Sequence, residues 1–121
     1  MKAVGVKGHN KPVLIPYDFD YSGIVSTNYA TPNNNYPLED IKDRFFLGMC
    51  RSPDVYTQHL NFFKSKKEAI LAIPESLSLL PPLAKDNMHQ YLTDFFRIIE
   101  SPKITKAMIL DHCGRHVEVT K

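Results

Sequence analysis

Residues 13–23 read Val-Leu-Ile-Pro-Tyr-Asp-Phe-Asp-Tyr-Ser-Gly, and they mark the point where the chain changes from extended to helical character. The apolar run Val13-Leu14-Ile15 predicts a short strand. Ala3-Val4-Gly5-Val6 predicts a second strand, and the turn residues Gly8-His9-Asn10-Lys11 between them predict a β-hairpin. The polar residues that follow, up to Tyr36, are typical of an exposed loop.

The rest of the chain predicts about four helices. Apolar residues recur every three or four positions from Leu38 to Met49, which indicates a first helix. Three later starts carry proline at the first helical position, and two of them carry a capping serine: Ser52-Pro53, Pro81-Pro82 and Ser101-Pro102. The first and the last of these helices are expected to reach about Ile73 and His112, with Gly114 as a C-cap. The middle one is expected to carry an apolar stripe of Met88, Leu92, Phe95 and Ile99.

The predicted fold class is therefore α+β, with an N-terminal β-hairpin packed on about four α-helices. A chain of 121 residues suits a single domain, or the C-terminal fragment of a longer one. Within it we distinguish four parts: a hairpin and metal loop at 1–23, a loop at 24–37, a helical part at 38–113 and a tail at 114–121.

Asp18 and Asp20 are the candidate functional pair. Residues two apart on an extended backbone point to the same side, so both carboxylates would project together from the strand end. Two such charges repel unless a cation lies between them, and Mg²⁺ or Mn²⁺ prefers hard carboxylate oxygens. Tyr21, Ser22 and Gly23 would then lie near a bound phosphate or nucleotide. The alternative is a turn in which the aspartates cap backbone groups.

Three enzyme classes use such a pair. A phosphohydrolase of the haloacid dehalogenase type would use Asp18 as nucleophile and Asp20 as acid and base, but that fold needs more strands than this chain predicts. A sugar-nucleotide transferase meets the same objection. A kinase-type metal loop fits the order of hairpin, acids, loop and helices.

The strings Ile15–Val25, Tyr29-Ala30-Thr31-Pro32 and Arg44–Arg51 resemble an uncharacterised bacterial family with a Tyr-Asp-Phe-Asp-Tyr-Ser-Gly motif. That family is distantly similar to the CotH-like and HipA-like atypical kinases. The resemblance implies part of a kinase-like large lobe, with Asp18 as metal ligand, Asp20 as a second ligand and ATP as the nucleotide. It also implies a missing upstream part carrying a lysine and a Gly-Asn-x-Asp loop, so the chain alone would be inactive.

A rival hypothesis makes the chain a non-enzymatic helical interaction module whose hairpin completes a partner's sheet. Either a homo-oligomer or a missing N-terminal portion could pair with that hairpin. The net charge of +2 gives no reason to expect nucleic acid, and no apolar run approaches a membrane span. As written the chain is expected in the cytoplasm, whereas a fragment could belong to the cell envelope.

Cys50 and Cys113 are the two cysteines. They are either buried thiols or a disulfide that ties the first helix to the last. His112, Cys113 and His116 form a short cluster, but no second cluster has the spacing of a zinc site. No catalytic residue follows from the sequence.

Overall fold

The computed structural model describes residues 2–8, 10–15 and 19–114. Two strands, β1 and β2, precede five helices, and a π-helical turn follows the last of them. In chain order these elements are Lys2–Val4, Val13–Ile15, Pro53–Ser65 (α1), Lys67–Leu71 (α2), Ile73–Ser76 (α3), Pro82–Glu100 (α4), Pro102–Thr105 (α5) and the turn Lys106–Leu110.

The α+β prediction is wrong, because the part of the chain that the structure describes is helical and has no sheet layer. Strand pairing among the described residues is confined to a three-residue antiparallel ladder in which Val4 lies opposite Val13. The side chains of Val4, Val13 and Ile15 are 38–45% exposed, so they bury little apolar surface. A two-stranded ladder of this length is at best marginal without packing. The predicted N-terminal β-hairpin packed on helices is therefore not part of this fold.

The predicted helix from Leu38 to Met49 is also wrong, because the backbone there is irregular. The Asp43 carboxylate accepts hydrogen bonds from the backbone N–H groups of Glu39 and Asp40, both at 2.8 Å. Side-chain bonds of this kind compete with the helical ladder. Apolar residues at helical spacing did not produce a helix here, because the Asp43 side chain binds backbone N–H groups in a non-helical conformation.

The three proline starts are confirmed at α1, α4 and α5, each of which has proline in its first turn. Of the two predicted capping serines, Ser101 accepts a hydrogen bond from the backbone N–H of Ile104 at 3.4 Å, whereas the Ser52 side chain makes no capping bond. The helix expected from residue 53 to Ile73 is instead broken at Lys66 and Ala72 into α1, α2 and α3. Gly114 has a φ of +69°, but it does not cap a helix that reaches His112 as predicted, because α5 ends at Thr105 and the π-helical turn ends at Leu110 with Asp111 as its C-cap.

Helix α4 is the centre of the molecule, and its last turns hold the core. Phe96, Ile98 and Ile99 are buried. Side chains from α1, α2, α5 and the π-helical turn pack around them, among them Leu60, Ile70, Ile104 and Met108. The sequence stripe correctly included Ile99 and missed Phe96, which is completely buried.

Residues 19–52, here called the wrapping segment, contain no regular helix or strand and lie across α4. Gly23 is buried so tightly that a Cβ atom there would lie 2.7 Å from the Ile41 carbonyl oxygen and 2.8 Å from the Tyr91 ring. The Arg44 guanidinium stacks on Tyr91, 3.8 Å from the ring centroid, and donates a hydrogen bond to the Tyr91 carbonyl oxygen. These contacts position the wrapping segment along one side of α4.

Candidate functional site

Asp20 belongs to a small polar cluster in the wrapping segment. Its carboxylate accepts a hydrogen bond from the Tyr29 hydroxyl at 3.0 Å, and its backbone carbonyl accepts one from the Thr27 hydroxyl at 2.9 Å. The bond to Asp20 raises the pKa of the Tyr29 hydroxyl, because the carboxylate favours the protonated phenol. Asp18 lies outside the described residues, so the predicted metal pair stays a prediction.

The residues predicted near a phosphate have mainly local contacts in the structure. The Ser22 hydroxyl donates a hydrogen bond to the Phe19 carbonyl oxygen at 2.6 Å, which closes a turn. Gly23 faces Tyr91, and the exposed Tyr21 ring meets Tyr29 edge to face at 6.1 Å. Their predicted role beside a nucleotide also stays a prediction.

Among the described residues, no group of three histidine, cysteine, aspartate or glutamate side chains is placed to hold a metal ion. The short cluster of His112, Cys113 and His116 offers no such group, because Cys113 is joined to Cys50 and His116 lies outside the described residues. The magnesium or manganese prediction therefore depends on Asp18.

The Cys50–Cys113 disulfide fastens the end of the wrapping segment to the end of the helical region. The two Cα atoms are 4.8 Å apart, and the cysteines are 63 residues apart in sequence. Next to the bridge, the Gly114 backbone N–H donates a hydrogen bond to the Gly48 carbonyl oxygen at 3.1 Å. The His112 ring meets Phe45 edge to face at 5.8 Å. The disulfide and its neighbouring contacts therefore hold the two segments together.

A groove runs along α4 where the wrapping segment leaves part of the helix uncovered. It consists of two clefts that share Lys42 and Asn87. The first, of about 420 Å³, is lined mainly by aliphatic side chains, including Ile24, Val25, Leu80, Leu83, Ala84 and Met88. The second, of about 380 Å³, is lined mainly by polar and charged side chains, including Asp43, Arg44, Gln90, Tyr91, Asp94 and Arg97. We call these the apolar half and the polar half of the α4 groove.

The charges of the polar half are largely paired. Arg44 is held on Tyr91, and Arg97 forms an ion pair with Asp94 at 3.4 Å. The two backbone N–H bonds to Asp43 lower the pKa of its carboxyl, since they favour the ionised form. Lys42, at the junction of the two halves, is exposed, and its ammonium has no hydrogen bond or ion pair with any described residue.

Sequence reasoning missed the α4 groove. Asn87, Gln90, Tyr91 and Asp94 follow helical spacing, so one wall could have been recognised as a polar stripe. The opposite wall comes from residues 42–44, and Arg44 is 47 positions from the Tyr91 carbonyl that it contacts. No local pattern indicates a contact of that range.

Comparison with protein-family models, curated proteins and solved structures finds no match for this chain. In the described part of the chain, no helix has the length and apolar character needed to cross a membrane. The proposals that follow therefore rest on the geometry of the groove and on general chemistry.

Proposed function

We propose that this chain is a protein-binding module, and that its α4 groove holds an extended segment of a partner polypeptide. The observation that carries this proposal is a pair of neighbouring clefts along one helix, which share Lys42 and Asn87. Leu83 and Ile98, near the two ends of the groove, are fifteen residues apart, which corresponds to about 22 Å along a helix. An extended chain of about seven residues has that length.

The apolar half presents aliphatic side chains to solvent. Leu83 is 71% exposed and Val25 is 46% exposed. In contrast, Phe96, Ile98, Ile99 and Pro74 are the large apolar side chains buried among the described residues. Exposed apolar side chains that line a groove are typical of an interaction site, because a partner that covers them removes apolar surface from water.

The amide side chains of the groove favour a polypeptide as the ligand. Asn87 and Gln90 are both exposed and have no side-chain hydrogen bond to any described residue. Each amide offers donors and an acceptor, and an extended backbone presents both N–H and C=O groups. The walls of the groove can therefore bind main-chain groups as well as aliphatic side chains.

The acids of the polar half are occupied in ways that suit binding better than catalysis. Asp43 accepts from two backbone N–H groups, and Asp94 faces Arg97. A general acid or base needs a proton position within reach of a substrate. Both carboxylates already have a partner within the chain, so neither is free to exchange a proton with a ligand in the groove.

A random heptapeptide library, displayed on phage, tests this proposal. Selection on the disulfide-bonded protein is expected to recover peptides that lose binding to an Ala84→Arg variant, since the long side chain fills the apolar half. Ala69→Arg, on the exposed surface of α2, is the matched control and should bind as the wild type does. Circular dichroism checks that both variants fold. Failure to recover any peptide, or equal binding to the Ala84→Arg variant, would contradict the proposal.

A further inference from the structure

Resting on the proposed function, we further propose that the bound segment carries an acidic side chain that pairs with Lys42, next to aliphatic side chains held in the apolar half. Lys42 lines both clefts, so this residue lies where the character of the groove changes. An acid at that point would have apolar neighbours on one side and polar neighbours on the other.

The other basic side chains of the groove already have partners within the chain, so Lys42 is the one available to pair with an acid of the ligand. Arg44 is stacked on Tyr91 and donates to its carbonyl oxygen, and Arg97 faces Asp94. The polar half contains three basic side chains, Lys42, Arg44 and Arg97, against two acidic ones, Asp43 and Asp94. Because both acids already have partners, an incoming carboxylate meets a net positive charge.

The apolar half sets the order of residues along the ligand. Leu83 and Ala84 lie on the first turn of α4, before the position of Asn87. Gln90, Asp94 and Arg97 lie on later turns, on the other side. The ligand is therefore aliphatic toward the start of α4, acidic at its middle and polar toward the end of α4.

The contribution of the ion pair is expected to be modest, because Lys42 is exposed. Exposed pairs of this kind change an equilibrium by about two- to fivefold. Added salt should reduce the effect, since exposed charges are screened. The aliphatic contacts supply most of the affinity, and Lys42 supplies selectivity.

Three random heptapeptide libraries test the inference, each with its central residue fixed as glutamate, glutamine or lysine. On the wild type, recovery from the glutamate library should exceed recovery from the glutamine library by about two- to fivefold. Lys42→Glu should reverse the order and favour lysine. Lys66→Glu, a matched charge reversal away from the groove, should leave the order unchanged.

The outcomes separate the two proposals. Equal recovery from all three libraries, with binding still lost in Ala84→Arg, would overturn the role of Lys42 and leave the groove intact as a peptide site. Recovery that persists in Ala84→Arg for every library, or no recovery from any, would overturn the proposed function and the inference with it. An unchanged order in Lys42→Glu would overturn the inference alone.

Discussion

Two residues fix the irregular backbone of the wrapping segment beside α4. Asp43 ties its own carboxylate to the backbone N–H groups of Glu39 and Asp40. Gly23 allows the chain to approach the Ile41 carbonyl and the Tyr91 ring more closely than any larger residue would permit. Together they set the path of the wrapping segment around Lys42, which lies between Ile41 and Asp43 and lines the groove.

Asp43→Ala is expected to speed amide hydrogen exchange at Glu39 and Asp40, because both N–H groups lose their acceptor. Acidification should do the same to the wild type. The pKa of Asp43 is lowered from 3.8 in the folded state by these two bonds, so its stabilising effect is present above 3.8 and is lost as the pH falls through the folded pKa. Exchange measured by NMR at several pH values checks this, with Asp86→Asn as the control on exposed α4 surface. Unchanged exchange at Glu39 and Asp40 in Asp43→Ala would contradict it.

Gly23→Ala is expected to reduce the free energy of unfolding by about 1–3 kcal/mol through overpacking. The new Cβ would meet backbone atoms of Ile41 and Lys42, at 2.7 and 3.0 Å, and these cannot rotate away. Gly5→Ala is the matched control, since a Cβ there meets nothing within 4 Å. Urea denaturation of both variants measures the difference. Equal stabilities for the two would show that Gly23 is not tightly packed.

At the scale of elements, the junction between α4 and α5 replaces a missing backbone bond with a side chain. The α-helical donor to the Ile98 carbonyl would be residue 102, which is proline and has no N–H. The buried Thr105 hydroxyl donates to that carbonyl instead, at 2.8 Å. This bond lets the chain turn from α4 into α5 while the core side chain of Ile98 stays in place.

Thr105→Val is therefore expected to cost about 1–3 kcal/mol of unfolding free energy, because it keeps the shape of the side chain and leaves the Ile98 carbonyl without this donor. Thr105→Ser retains the hydroxyl and should keep more of the bond's contribution, although it loses a buried methyl group. Thermal and urea unfolding measure both variants. A valine variant at least as stable as the serine variant would show that the hydroxyl contributes little.

At the scale of the whole molecule, the wrapping segment is attached to the helical region at two places, Tyr91 of α4 and the Cys50–Cys113 disulfide. Gly23 and Arg44 contact Tyr91, and the disulfide joins Cys50 to the turn after the π-helical residues. Because few apolar side chains are fully buried among the described residues, a covalent closure matters more here than it would in a larger domain. The wall of the α4 groove that the wrapping segment contributes depends on this attachment.

Cys50→Ala combined with Cys113→Ala should lower the free energy of unfolding by up to about 4 kcal/mol, the chain-entropy value for closing a loop of 63 residues. Reduction of the wild type should have a similar effect and should also weaken binding of peptides selected on the oxidised protein. Urea midpoints with and without a reducing agent check the stability. A midpoint that does not respond to the reducing agent would contradict the prediction.

The sequence by itself determined where three helices begin, and it placed Ile99 on the side of α4 that meets the core. The signals at Ser52-Pro53, Pro81-Pro82 and Ser101-Pro102 act through groups within one helical turn, so neighbouring residues are sufficient to predict them. The stripe along α4 follows from the helical period alone, and it identified Ile99. The helical period gives the direction of a side chain but not the depth of its burial, so it could not show that Phe96 is completely buried.

Only the tertiary structure decided the course of residues 19–52 and, with it, the α4 groove. The apolar rhythm from Leu38 to Met49 predicted a helix, but the Asp43 bonds and the contacts with Tyr91 hold that stretch in an irregular path. Lys42 and Asn87 line the same groove although they are far apart in sequence. Packing between distant segments depends on the shapes of both, which no pattern in either segment specifies.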